Sequence, residues 1–167
     1  MKLDRALLGT LVTWAAVLIL LAALPGAVRD TFETGRIYLF SREFFDDLPQ
    51  RLTGPGRLRF ILQPLVAVLL GCRDGLGDAR AGRPAYLWGL LAGEGNRRDM
   101  ARSAFASIRV LVAMGIVLDA VAQALIYREV HPGAALVIGP VLICLPYAIA
   151  RALANRAVRL ARRLGGR

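Results

Sequence analysis

Asp119 and Gln123 are the two residues best placed to do chemistry in this 167-residue chain. They stand four positions apart inside Phe105–Tyr127, a run that is apolar apart from a few polar groups. A helix there sets both on one face together with Gly115. Inserting a carboxylate at the centre of a membrane helix costs about 2.5–3.5 kcal/mol, so Asp119 has to face protein or water rather than lipid. Two chemistries are open to it. It can accept an interhelical hydrogen bond, or it can hand a proton or cation along a passage. Pro140 and Val141, at matching depth in the next apolar run, offer no side-chain donor, so a partner has to come from elsewhere in the chain or from another copy. A purely hydrogen-bonded role predicts that Asp119→Asn is tolerated. On the opposite side of this helix, Ala106, Ala113, Ala120 and Ala124 fall in one narrow arc, a small-residue stripe suited to close helix packing.

The remaining candidates are weaker. Asp74 and Asp78, with Glu94 and Asp99 further along, could hold Mg²⁺, but the interleaved Arg73, Arg80 and Arg83 predict local ion pairs instead. The single histidine, His131, precedes Pro132 in a turn and has no second ligand at metal-site spacing, so no zinc site is expected. Gly75-Leu76-Gly77-Asp78-Ala79-Arg80 lacks the third glycine of a dinucleotide loop, and the only lysine, Lys2, stands in no phosphate loop. Ser41, Ser103 and Ser107 have no nucleophile motif around them. Cys72 and Cys144 read as packing residues. No catalytic residue, metal or cofactor is predicted.

The elements that must position Asp119 are read from composition and pattern. Hydrophobic residues make up 56% of the chain and the net charge is +10, with the arginines in segments flanking apolar runs. That is the positive-inside pattern of an integral membrane protein. With 7% aromatic residues and no basic–aromatic interleaving, nucleic acid is not an expected partner. The fold class is all-α, a single helical membrane domain with three transmembrane helices. These are 6–28, the later part of a long helix 97–127 capped by Asn96, and 134–164, which continues into a basic tail. Ile37, Phe40, Phe44 and Leu48 recur at helical spacing and predict an interfacial amphipathic helix over 31–48. Phe60–Cys72 spans only about 20 Å as a helix, short of the ~30 Å hydrocarbon core, so 58–93 is expected to form short membrane-dipping or re-entrant segments around a polar loop. In the tail, Arg156, Arg159, Arg162 and Arg163 line one arc and are expected to meet anionic lipid headgroups. Three spans would leave 18 Lys and Arg inside against 3 outside, and four spans 14 against 7, so the arginine count favours three.

The string Gln63-Pro64…Arg73-Asp74-Gly75…Asp78-Ala79-Arg80…Gly82-Arg83-Pro84 resembles a group of small bacterial inner-membrane proteins of no established activity. Leu118-Asp119-Ala120…Gln123, His131-Pro132-Gly133 and Leu145-Pro146-Tyr147-Ala148…Arg151 extend the likeness, which covers roughly residues 60–156. It implies a multi-pass setting in the bacterial inner membrane and no particular chemistry. The expected function is therefore non-enzymatic. The chain is read as an accessory or scaffold subunit acting by helix–helix association, with itself as a homo-oligomer or with a membrane-protein partner. The alternative is an oligomeric conduit for a small solute, ion or proton, lined by Asp119 and Gln123.

Overall fold

A computed structural model describes residues 2–92 and 96–165, with side chains for 7–90 and 96–164. Every regular element among the described residues is a helix. They are α1 (Lys2–Thr34), α2 (Arg42–Asp46), α3 (Leu48–Thr53), α4 (Arg59–Arg80), α5 (Tyr86–Ala92), α6 (Arg97–Tyr127) and α7 (Pro132–Gly165). Their ends follow local chemistry. Gly35, at φ +65°, closes α1 by donating its N–H to the Thr31 carbonyl at 2.9 Å. Asn96 opens α6, its Oδ1 accepting from the Arg98 N–H at 3.1 Å while its Nδ2 donates to Asp99 at 2.7 Å. Arg128, at φ +62°, ends α6, and Pro132 starts α7, where a missing N–H is harmless.

Four helical stretches are long and apolar enough to cross a membrane: Leu7–Thr34, Arg59–Arg80, Arg97–Tyr127 and Pro132–Leu164. Large apolar side chains lie exposed along them, including Leu8, Leu18, Leu69, Leu125 and Leu145, each at least 59% accessible. So much bare hydrocarbon suits lipid rather than water.

Two sequence expectations are corrected here. The helix predicted over 31–48 does not exist as one element: α1 runs on to Thr34, residues 35–41 are irregular, and Phe40 sits at φ +63°. Of the apolar set, Phe44 and Leu48 pack inward while Ile37 and Phe40 are exposed. The polar loop predicted within 58–93 is also displaced, because α4 continues helically through Arg73-Asp74-Gly75 to Arg80. Two of its glycines, Gly71 and Gly75, serve packing rather than turning.

The chain divides into two compact units. The first joins Met1–Ile61 to Val110–Leu142. In it Ala16 of α1, Ala113 and Ile116 of α6 and Ala135 of α7 form one apolar cluster, and Phe44, Ala134 and Ile138 form another. Helices approach closely where glycine allows: a Cβ on Gly139 would lie 2.8 Å from the Gly115 carbonyl carbon and 2.9 Å from the Ile116 nitrogen. Tyr38 stacks on His131 with ring centroids 3.6 Å apart. Residues just after α1 and the α6–α7 turn therefore lie together.

The second unit joins Leu62–Arg109 to Ile143–Arg167. Gly71 and Gly75 of α4, spaced as G-x-x-x-G, lie against the α7 backbone, the first at the Tyr147 carbonyl and the second at the Arg151 carbonyl. Any Cβ there would collide, so two backbones touch directly, as small residues permit in membrane helix pairs.

Gly139→Ala is predicted to destabilise the protein by about 1–3 kcal/mol, because backbone cannot yield as a side chain can. Gly77→Ala, a helical position with nothing within 4 Å of the added methyl, is the control and should be neutral or mildly stabilising. Thermal unfolding of the detergent-solubilised protein measures both.

Candidate functional site

Asp119, 1% exposed, lies between two guanidiniums that sequence reasoning did not supply. Arg51 of α3 donates from Nη1 to both carboxylate oxygens, at 3.1 and 3.3 Å. Arg59, the first residue of α4, ion-pairs from Nη2 at 2.7 Å and donates from Nη1 to the Leu118 carbonyl at 2.9 Å. Both arginines are buried, Arg51 completely. Gln123, one turn on from Asp119, donates to its Oδ2 at 2.6 Å and accepts the His131 backbone N–H at 2.8 Å. The predicted pair is therefore the centre of a larger cluster, and an ion pair replaces the simple hydrogen bond expected for Asp119.

A second carboxylate completes the balance. Arg51 donates from Nη2 to the Tyr38 hydroxyl at 3.2 Å, and that hydroxyl donates to Asp47 Oδ2 at 2.7 Å. Tyr127 fixes the same residue through its hydroxyl on the Asp47 carbonyl at 3.0 Å, and Arg51 sits 5.4 Å from the Tyr127 ring centroid. Two arginines and two aspartates thus form one neutral assembly. Burial, then the Asp47 hydrogen bond, pushes the Tyr38 hydroxyl well above its ordinary pKa, so it stays protonated and bridging. Burial works against the Arg51 charge, but the Tyr38 hydrogen bond and the Asp119 charge outweigh it and hold its pKa above the ordinary value.

The second unit carries its own centre. Arg151 grips Asp78 through Nε at 2.6 Å and Nη2 at 3.2 Å, a bidentate pair with both side chains 4% exposed. Its Nη1 donates to the Tyr147 hydroxyl at 2.9 Å, which donates to Asp74 at 2.8 Å, and its Nη2 also reaches Ser103 Oγ at 3.0 Å. Tyr86 lies under the guanidinium at 4.6 Å. The local pairs expected for these aspartates are present as Arg73–Asp74 and Arg83–Asp78, while Glu94 lies outside the described residues.

The small-residue stripe divides. Ala113 and Ala120 are buried, but Ala106 and Ala124 are exposed, so the two ends of the stripe lie off the buried face of α6. The tail arginines divide too. Arg159 donates to the Gly82 carbonyl at 2.8 Å and to that of Arg83, and Arg162 reaches the Ala79 carbonyl at 3.4 Å. These two satisfy carbonyls where α4 ends, a favourable place for cations. Arg156 and Arg163 remain exposed. His131 also departs from expectation: Asp30 and Glu129 come together with it, the three ligand atoms lying within 4.8 Å of one another.

Asp119→Asn is now predicted to be strongly destabilising, by about 3–5 kcal/mol, because it strands buried guanidinium charge. The charge-free combination Asp119→Leu, Arg51→Met and Arg59→Met should recover much of that loss, since replacing a whole buried ion cluster is often neutral. Unfolding midpoints of the two proteins in the same detergent decide the matter.

No family model, curated protein or solved structure matches this chain, so the two clusters themselves are the ground for a functional reading.

Proposed function

We propose that this chain is a four-span protein of the bacterial inner membrane that works by association, as an accessory or scaffold subunit, rather than by conduction or catalysis. The observation that carries the reading is the occupation of Asp119. Both carboxylate oxygens are taken by Arg51, Arg59 and Gln123 of the same chain. The polar groups that a conduit would need are committed to holding helices together.

The four-span arrangement puts residues 29–59 and the α6–α7 turn on the outer face and residues 73–102 and the tail in the cytoplasm. Its support is the stacking of Tyr38 on His131, which keeps the two outer stretches on one side. Fourteen inner Lys and Arg against seven outer ones still obey the positive-inside rule. Arg51 and Arg59, two of the outer seven, are neutralised inside the protein and exert little topological pull. On the cytoplasmic side, exposed Arg156 and Arg163 meet anionic headgroups while Leu153, Leu160 and Leu164, all 58% exposed or more, enter the acyl boundary. Partners, whether further copies or another membrane protein, meet the lipid-facing surfaces of α1 and α6.

Two measurements test this. In intact cells, with Cys72 and Cys144 replaced by alanine, an impermeant maleimide should label cysteines placed at positions 36 and 129 and spare those at 80 and 163. Protection at 36 with labelling at 129 would refute the four-span arrangement. Proteoliposomes holding the purified protein should pass protons and monovalent ions no faster than empty vesicles. A flux abolished by Asp119→Asn in folded protein would make the chain a conduit instead.

A further inference from the structure

We propose that Asp30, Glu129 and His131 form a binding site for a divalent transition-metal ion, with zinc the best match. The three come from two separated stretches: Asp30 from the last turns of α1, and Glu129 and His131 from the α6–α7 turn. Their ligand atoms already lie within 4.8 Å of one another. Ligand atoms of a tetrahedral ion with bonds of about 2.0 Å are roughly 3.3 Å apart. Rotation of the carboxylate torsions covers the difference, and Glu129 is exposed and free to make it.

The imidazole is prepared for a ligand rather than for the protein. Tyr38 stacks on its face at 3.6 Å, and the His131 backbone N–H is held by Gln123 at 2.8 Å, so the ring is oriented. Yet its Nδ1 is buried and has no hydrogen-bond partner. Neither Asp30 nor Glu129 has an ion-pair partner among the described residues, whereas Glu33 nearby is taken by Arg29 at 2.6 Å.

The surroundings point the same way. The three residues line a cavity of about 290 Å³ whose other charged groups are Glu33, Glu43 and Arg36. Four carboxylates against one guanidinium make this an acidic recess on a chain of net charge +10. Repulsion among the carboxylates is relieved by a dication. One nitrogen and two oxygen ligands favour zinc and its neighbours over Mg²⁺ or Ca²⁺, which prefer oxygen alone. Three protein ligands leave a fourth position open to water or a further carboxylate from the recess. The bound ion would tie the end of α1 to the α6–α7 turn. This inference stands on the site's own geometry and does not depend on the association role.

The test uses full-length, tag-free protein in nanodiscs, stripped with chelator and titrated with Co²⁺ and then Zn²⁺. One equivalent of Co²⁺ should bind and give a visible d–d spectrum that Zn²⁺ abolishes. Because His131 is the only histidine, a single paramagnetically shifted imidazole signal should accompany it. Zn²⁺ should also raise the unfolding midpoint, as any ligand of the native state does. Glu129→Gln and Asp30→Asn should each weaken Zn²⁺ binding by roughly ten-fold or more, the loss that even a supporting group causes. Should His131→Gln fail to fold, Glu129→Gln at its exposed position still decides. Full affinity in the Asp30→Asn, Glu129→Gln double variant would overturn the proposal, as would Co²⁺ binding without an imidazole signal or equal competition by Mg²⁺.

Discussion

A carboxylate removed from water must be met by positive charge, and the first unit is arranged around that requirement at Asp119. Three elements converge to satisfy it: α3 brings Arg51, α4 begins with Arg59, and α6 carries Asp119 itself. The pair is not a large source of net stability, because desolvating three ions consumes most of what their attraction returns. Its value lies in selection. Lipid-facing leucines pack acceptably in many registers, whereas one buried carboxylate and two guanidiniums fit in only one. Through Arg51 the cluster anchors the short helix α3, while Phe44 holds α2 in the apolar cluster with Ala134 and Ile138.

The second unit meets the same requirement by other means. Arg151 spreads its donors over Asp78, Tyr147 and Ser103 and rests on the Tyr86 ring. A planar fork of five donors permits this, and a lysine at 151 could not reproduce it. The glycines at 71 and 75 let α4 and α7 come close enough for Asp78 to reach the fork. Backbone contact and charge pairing are thus one device: without the small residues, the ion pair would open to a distance that leaves both charges unmatched.

Much of this was legible from residue order. Long apolar runs mark α1, α6 and α7, and the Asp119–Gln123 spacing marks the centre of the first cluster. Arg51 and Arg59 were not legible as partners, since a contact across 68 positions leaves no local trace. One hint existed: Arg59 stands directly before an apolar run too short to cross a bilayer alone, as a residue does when its charge is neutralised inside. The glycines of α4 misled for a physical reason. Glycine breaks helices in water by its conformational freedom, but between membrane helices it serves close approach, and Arg73–Arg80 looked like a loop on the first account. Over 31–48 the apolar period promised a helix that Gly35 and Phe40, both at positive φ, interrupt. The His131 recess was hidden because Asp30 lies about a hundred residues away in sequence.

The position of Arg59 bears on how the protein is made. Ribosomes deliver α4 first, and the carboxylate that neutralises its leading arginine emerges about sixty residues later. Until then α4 offers the insertion machinery a brief apolar stretch headed by an unmatched cation and interrupted by Gln63, a poor candidate for release into lipid. On the proposed four-span reading, α4 is best held back until α6 arrives and the two enter together. Deletions that spare α4 but remove α6 leave Arg59 without its carboxylate, so a residue in the second half of the chain governs the fate of one in the first.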